Sequence, residues 1–122
     1  MSLAELRLRS QDRVIVANLD GEIDMSNARR LATSIADEVT NDVLGLVVDL
    51  TEVRYIDSAG IQVIYDLHER LNKRGQRLRL VVPPDSVIAR TLDLVNASRA
   101  IGIVDATETA VAAMASPGEE PG

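Results

Sequence analysis

The chain has 122 residues, of which 46% are hydrophobic and 26% charged, and it contains no Cys, no Trp, no Phe and two Tyr. This length suits one domain with one core, the missing cysteines exclude disulfides and cysteine-rich metal sites, and the net charge of −6 argues against nucleic-acid binding. No apolar run approaches the roughly 20 residues that span a bilayer, and no signal peptide is visible, so we expect a cytoplasmic protein without a membrane segment.

The first third of the chain predicts a β-hairpin followed by a helix. Apolar and polar residues alternate over residues 3–9, residues 13–19 are rich in Val and Ile, and the short polar turn 10–12 favours antiparallel pairing. Gly21 permits a bulge or a tight bend after the second strand. We expect Ser26 to be the N-cap of the helix. The apolar residues of this helix recur at helical spacing, and they are Ala28, Leu31, Ala32, Ile35 and Val39.

Strands and helices alternate along the rest of the chain. Three further strands are expected: the first is apolar without alternation, which is typical of a strand buried on both faces, the second is also expected to be buried, and the third is short. These predicted strands cover residues 44–50, 78–82 and 101–104. The polar residues 51–57 are predicted to form a connection, and it leads into the longest helix, residues 58–74.

Two more helices complete the predicted architecture, one beginning at Pro84 or Asp85 and one ending at Ala115. The order β-β-α-β-α-β-α-β-α predicts an α/β fold, with a mostly parallel, mixed sheet after the N-terminal hairpin and about four helices packed against it. One domain is expected over residues 3–115. Residues 116–122 (SPGEEPG) are expected to form a disordered tail.

Catalytic and cofactor motifs are missing from the sequence. The single histidine, His68, lies in a predicted helix beside leucines and is interpreted as a packing or partly exposed residue. Neither a nucleophile elbow, a histidine metal motif nor a glycine-rich phosphate loop is present. Asp49 ends a strand as the phosphoacceptor of a receiver domain does, but the one lysine, Lys73, lies on the wrong segment. We therefore expect no cofactor, no metal and no enzymatic activity.

The segment around Ser58 is the most informative. A buried strand leads into a loop that delivers Asp57 and Ser58 to the start of a helix. One interpretation is structural: either residue caps the helix, and Gly60 allows close packing. The other is functional, because a helix N-terminus favours a phosphate on a serine hydroxyl. Nearby carboxylates of Asp57 and Asp24 would repel that phosphate, so the predicted effect is loss of a partner rather than refolding.

Two motifs of this chain resemble those of a known family. The segment VVDLTEVRYIDSAGIQVI resembles the signature of STAS domains, specifically the bacterial anti-sigma factor antagonists, and LDGEID (residues 19–24) resembles their L-x-G-E-[LI]-D element. The resemblance extends over about residues 3–115. It implies partner switching: the antagonist binds an anti-sigma factor that is also a serine kinase, is released when that kinase phosphorylates it, and is restored by a PP2C-type phosphatase.

The resemblance also implies roles for individual residues. Ser58 corresponds to the phosphorylated serine, and Asp24 and Asp57 correspond to the supporting aspartates. Many relatives have D-S-S-G or D-S-T-G, whereas this chain has alanine as the third residue of D-S-A-G, so the second hydroxyl is absent. The implied docking surface is the first helical turn, which comprises Ala59, Gly60 and Ile61.

Two other functions remain open at this point. A STAS domain can be a scaffold in a stress-sensing complex or an accessory of a transporter, in which Ser58 would only cap the helix. A hydrolase that uses Ser58 would need a base and an oxyanion site, and the sequence offers neither. We expect a monomer, because the polar helix faces show no large apolar patch.

Overall fold

A computed structural model describes residues 3–115. One mixed five-stranded sheet forms the centre of the domain, with strands in the order β1-β2-β3-β4-β5. Only the β1–β2 pair is antiparallel, and the other neighbouring strands are parallel. The strands are β1 (Glu5–Gln11), β2 (Val14–Ile23), β3 (Gly45–Ile56), β4 (Arg77–Val81) and β5 (Gly102–Val104). The predicted hairpin and parallel sheet are thereby confirmed.

Helices cover both faces of the sheet. Four have at least eight residues, as predicted, and a one-turn helix, α4, is an addition that the sequence pattern did not indicate. In the described residues they are α1 (Ala28–Glu38), α2 (Ser58–Lys73), α3 (Val87–Leu94), α4 (Ala97–Ala100) and α5 (Thr107–Ala115). The larger core lies between the sheet and α1 to α4, and the smaller one lies under α5 on the opposite face.

The N-terminal hairpin turns one residue later than predicted. β1 continues through Gln11, and the turn consists of Asp12 and Arg13, whose φ angles are 53° and 64°. Two left-handed residues give the type I′ geometry, whose twist matches that of paired strands. The prediction placed the turn at residues 10–12 because neither Asp12 nor Arg13 is a glycine, the residue that usually marks such a turn.

The longest strand, β3, includes most of the segment predicted as a connection. It continues through Ile56, and its pairing with β2 shifts register twice, after Asn18 and after Gly21. Each shift is a bulge in which β3 carries one extra residue, so its buried side chains beyond Leu50 come three residues apart rather than two. Of the two possibilities expected at Gly21, a bulge or a tight bend, the structure has the bulge. The expected connection over residues 51–57 is wrong, because bulges disguised the strand period.

Helix boundaries depart from prediction in two places. α1 begins at Ala28, and its N-cap is Asn27 rather than Ser26. α3 begins at Val87, where the Ser86 hydroxyl accepts a hydrogen bond from the Ala89 amide at 3.1 Å. The expected tail at residues 116–122 lies outside the described residues.

Candidate functional site

Ser58 is exposed at the first position of α2, directly after the end of β3. The preceding residue, Asp57, is the N-cap: its backbone is extended, and its Oδ1 accepts a hydrogen bond from the Gly60 amide at 3.1 Å. The carboxylate thereby satisfies one amide that the first helical turn leaves unpaired. The cap holds Ser58 at the helix start with its side chain in solvent.

Asp57 also joins the two loops at this end of the sheet. Its Oδ2 accepts a hydrogen bond from the Met25 amide at 3.2 Å, and its own amide donates to the Ile23 carbonyl at 3.2 Å. Ile23 and Ile56 are the last paired residues of β2 and β3. The loop after β2 and the start of α2 are therefore held side by side, as the sequence predicted for Asp24 and Asp57.

Asn27 shapes the loop after β2, and sequence reasoning missed it. It is only 1% exposed. Its Oδ1 accepts from the Asp24 amide, and its Nδ2 donates to the Glu22 carbonyl, both at 2.9 Å. The Asp24 carbonyl in turn accepts from the amides of Asn27 and Ala28. An aspartate followed three residues later by asparagine before a helix was the available signal.

The Asp24 carboxylate belongs to the same loop. Its Oδ1 accepts hydrogen bonds from the hydroxyl and from the amide of Ser26, the latter at 2.9 Å. Those bonds, the hydroxyl first and the amide second, lower the pKa of Asp24 below its usual value of 3.8. Ser26 therefore stabilises the charge of Asp24 instead of capping α1.

Removal of the Ser26 hydroxyl should raise the pKa of Asp24. A lowered pKa means that the loop gains stability from the charged carboxylate above pH 3.8 and loses it as the pH falls through the lowered value. In Ser26→Ala the largest cause of the shift is gone, so the midpoint should move upward towards 3.8. Carboxyl carbon NMR titration measures it, with Ser34→Ala on α1 as a control. An unmoved midpoint in Ser26→Ala would contradict the assignment.

The first turn of α2 packs directly onto the strand ends. A Cβ on Gly60 would lie 2.6 Å from Ile56 Cγ1 and 2.9 Å from Ile23 Cγ2, so a larger residue would force either these side chains or the helix to shift. Ala59 and Ile61 are half-buried and pack against the core. Of the three residues predicted to form the docking surface, Ala59 and Ile61 are thus partly accessible and Gly60 is buried.

A hollow of about 620 Å³ lies beside Asp57. Two of its walls are exposed apolar side chains that the sequence analysis did not single out: Met25 is 82% exposed and Tyr55 is 50% exposed. The remaining lining residues carry oxygen atoms, and they are Glu22, Asp24, Ser26 and Asp57. We call this surface, together with Ser58, the docking face. It offers two apolar contacts surrounded by carboxylates.

The other residues considered from sequence lie elsewhere. Asp49 accepts hydrogen bonds from Asn18, Thr51 and Thr107, which tie the sheet to the start of α5. His68 is half-buried in the middle of α2. Within residues 3–115, no group of three or more acidic, histidine or cysteine residues could hold a metal ion. Within the same residues, every helix is too short or too polar to cross a membrane.

Comparison with known proteins identifies the family. The family model of the STAS domain matches residues 5–110. The chain belongs to the STAS domain family. RsfB of Mycobacterium tuberculosis, an anti-sigma-F factor antagonist, is 32% identical over 82 residues, which are 66% of this chain and 65% of RsfB. The chain therefore spans slightly less than two thirds of the length of this curated relative.

Solved structures of anti-sigma factor antagonists have the same fold. An anti-sigma factor antagonist from Mycobacterium paratuberculosis has a TM-score of 0.82 and 24% identity, covering 93% of this chain and 95% of that chain. SpoIIAA, a Bacillus cell fate determinant, has a TM-score of 0.68 in both its unphosphorylated and its phosphorylated form. Its identities are 18% and 15%, over 89% of this chain and 96% and 98% of the two SpoIIAA chains. These likenesses confirm the predicted STAS architecture.

Proposed function

We propose that this STAS domain is an anti-sigma factor antagonist whose binding is switched off by phosphorylation of Ser58. In this proposal it binds, through the docking face, an anti-sigma factor that is also a serine kinase, and a PP2C-type phosphatase restores it. The observation that carries the proposal is the exposed Ser58 hydroxyl at the start of α2, directly beside the carboxylate of Asp57. The domain itself acts as a binding protein and not as an enzyme.

The chemistry of the docking face supports a protein partner. Exposed Met25 and Tyr55 can enter apolar pockets, as anchor residues at interfaces do. The carboxylates of Glu22, Asp24 and Asp57 surround them. Such a face complements a partner surface that combines apolar pockets with basic side chains, because charge complementarity steers association and excludes partners of like charge.

A phosphate on Ser58 would change this face without changing the fold. Among residues 3–115 the Ser58 hydroxyl makes no hydrogen bond, so the core does not depend on it. The phosphate would add about −1.5 to −2 charges at pH 7. The Gly60 amide is already occupied by Asp57, so the phosphate would share the helix N-terminus with a carboxylate. The added charge and hydration would therefore act mainly on the partner.

Two similar proteins support the proposal of an antagonist that can be phosphorylated. RsfB is named as an antagonist of an anti-sigma-F factor, and SpoIIAA has been solved with and without phosphate in the same fold. A STAS fold can therefore carry a phosphate without being remodelled. Ala59 leaves Ser58 as the single hydroxyl of the D-S-A-G segment in this chain.

Incubation with anti-sigma factor kinases from the source genome and ATP should place one phosphate on Ser58. Mass spectrometry of the intact chain and of its peptides locates it, and Ser58→Ala should remain unmodified. A PP2C-type phosphatase should remove the phosphate. Modification of Ser58→Ala at the wild-type rate, or no modification of wild type by a kinase that binds it, would contradict the switch and favour the constitutive scaffold or transporter accessory.

A further inference from the structure

A second surface hollow of about 370 Å³ is a groove between α1 and α2. Its sides are apolar side chains from both helices. On α1 these are Ala28, Ala32 and Ala36, and on α2 they are Ala59, Val63 and Leu67. A groove between two neighbouring helices has the shape that accepts the side-chain ridge of a third helix.

Cationic side chains stand on both walls of this groove. Arg29 comes from α1 and Arg70 from α2, and both are exposed. Within the part of the chain that the structure describes, neither forms an ion pair. The one lining carboxylate, Asp66, accepts a hydrogen bond from Gln62 at 3.0 Å. Two guanidinium groups against one carboxylate make this groove basic, although the whole chain has a net charge of −6.

The groove is continuous with the docking face. Met25 lines both the groove and the hollow beside Asp57. Ala59, the residue after Ser58, lines the groove at the same end. A partner that covers Ser58 therefore meets the entrance of the groove, and the surface changes from acidic at the docking face to basic along the helices.

We infer that the anti-sigma factor places an amphipathic helix with acidic side chains in the α1–α2 groove. This inference rests on the proposed function and assigns a second contact to the same partner. The apolar residues of that helix enter between α1 and α2, and its carboxylates pair with Arg29 and Arg70. Its approach to Ser58 then brings basic groups of the partner to the carboxylates of the docking face.

Calorimetry with the purified anti-sigma factors of the source genome tests the inference. For the factor that binds wild type, Arg29→Glu and Arg70→Glu should each raise Kd by about tenfold, because each removes one charge pair and adds a repulsive one. Ala32→Leu should also weaken binding by filling the groove without changing its charge. The matched control is Arg30→Glu, since Arg30 lies on the same helix, is exposed, and does not line the groove.

The possible outcomes distinguish the proposed helix-binding groove from the proposed antagonist function. A factor that binds wild type and all four variants equally would overturn the groove assignment and leave the proposed function standing. An equal loss in Arg30→Glu would also overturn it, because general charge would then explain the effect. Failure of every anti-sigma factor to bind wild type would overturn both proposals.

Discussion

Replacing Ser58 with aspartate is expected to raise Kd for the anti-sigma factor by about a hundredfold, which corresponds to about 2.7 kcal/mol. The new carboxylate would stand at the first position of α2, next to Asp57, which already accepts hydrogen bonds from the amides of Gly60 and Met25. A partner with apolar and basic contacts would meet an additional hydrated charge at the centre of its footprint. Like-charge or unpaired groups at such places cost several kcal/mol.

Two controls separate this local effect from total charge. Ser58→Ala should bind as wild type does, because the described structure gives the hydroxyl no hydrogen bond to lose. Ser34→Asp adds the same charge at an exposed position of α1 that lines neither the docking face nor the groove. Calorimetry at two salt concentrations measures all three variants. Equal Kd values for the aspartate and alanine variants at position 58 would refute the electrostatic switch.

Replacing Asn27 with alanine should destabilise the domain by about 2 kcal/mol, since an amide loses its side-chain partner and a carbonyl keeps only the hydrogen bond from the Ala4 amide. The amide belongs to Asp24 and the carbonyl to Glu22, and both currently bond the Asn27 side chain at 2.9 Å. For a domain of this size the melting temperature should fall by roughly 8 °C. Because that side chain also shapes the loop that carries Met25, affinity for the partner should fall as well.

Thermal and urea unfolding followed by circular dichroism measure the stability change. Asn72→Ala is the matched control, because Asn72 is exposed near the end of α2 and should shift stability by less than about 0.5 kcal/mol. Amide NMR spectra of the Asn27 variant should show their largest changes in residues 22–28. A stability equal to that of the Asn72 variant would mean that the two side-chain hydrogen bonds of Asn27 contribute nothing net.

Much of the fold could be predicted because strands and helices alternate with clear apolar patterns. The position of Ser58 at the start of α2 also followed from sequence, since apolar residues recur at helical spacing from Ile61 onward and Asp57 or Ser58 suits the N-cap. The C-terminal half of β3, residues 51–56, could not be predicted from apolar patterns. Its bulges change the spacing of buried residues from two to three, so Val53 and Ile56 lose the alternation by which strands are recognised.

The docking face was only partly predictable for a different reason. Asp24 and Asp57 could be identified from the resemblance to the STAS motifs, and Asp57 also from its place directly before a predicted helix. Met25 and Tyr55 are residue types that are often buried in a core. Their exposure here depends on the conformation of the folded chain around them, which the sequence pattern does not show. The N-cap of α1 could not be chosen from sequence, because Ser26 and Asn27 are both good N-cap residues. Hydrogen bonds that form only in the folded loop decide in favour of Asn27.

The length of β3 has a consequence for access by enzymes. Its last pair with β4 is Asp49 with Val81, and the strand continues for the seven residues 50–56 before Ser58. Because two of these residues are taken up by bulges, the paired β2 advances five residues over this stretch, and β3 ends roughly 17 Å beyond that pair at a strand rise of about 3.3 Å per residue. Catalytic clefts are concave, and the exposed Ser58 hydroxyl at this edge of the sheet can enter one while residues 50–56 keep their pairing with β2 and their packing in the core. Phosphorylation would then require no local unfolding of the domain, and the added charge would lie at the surface where the partner binds.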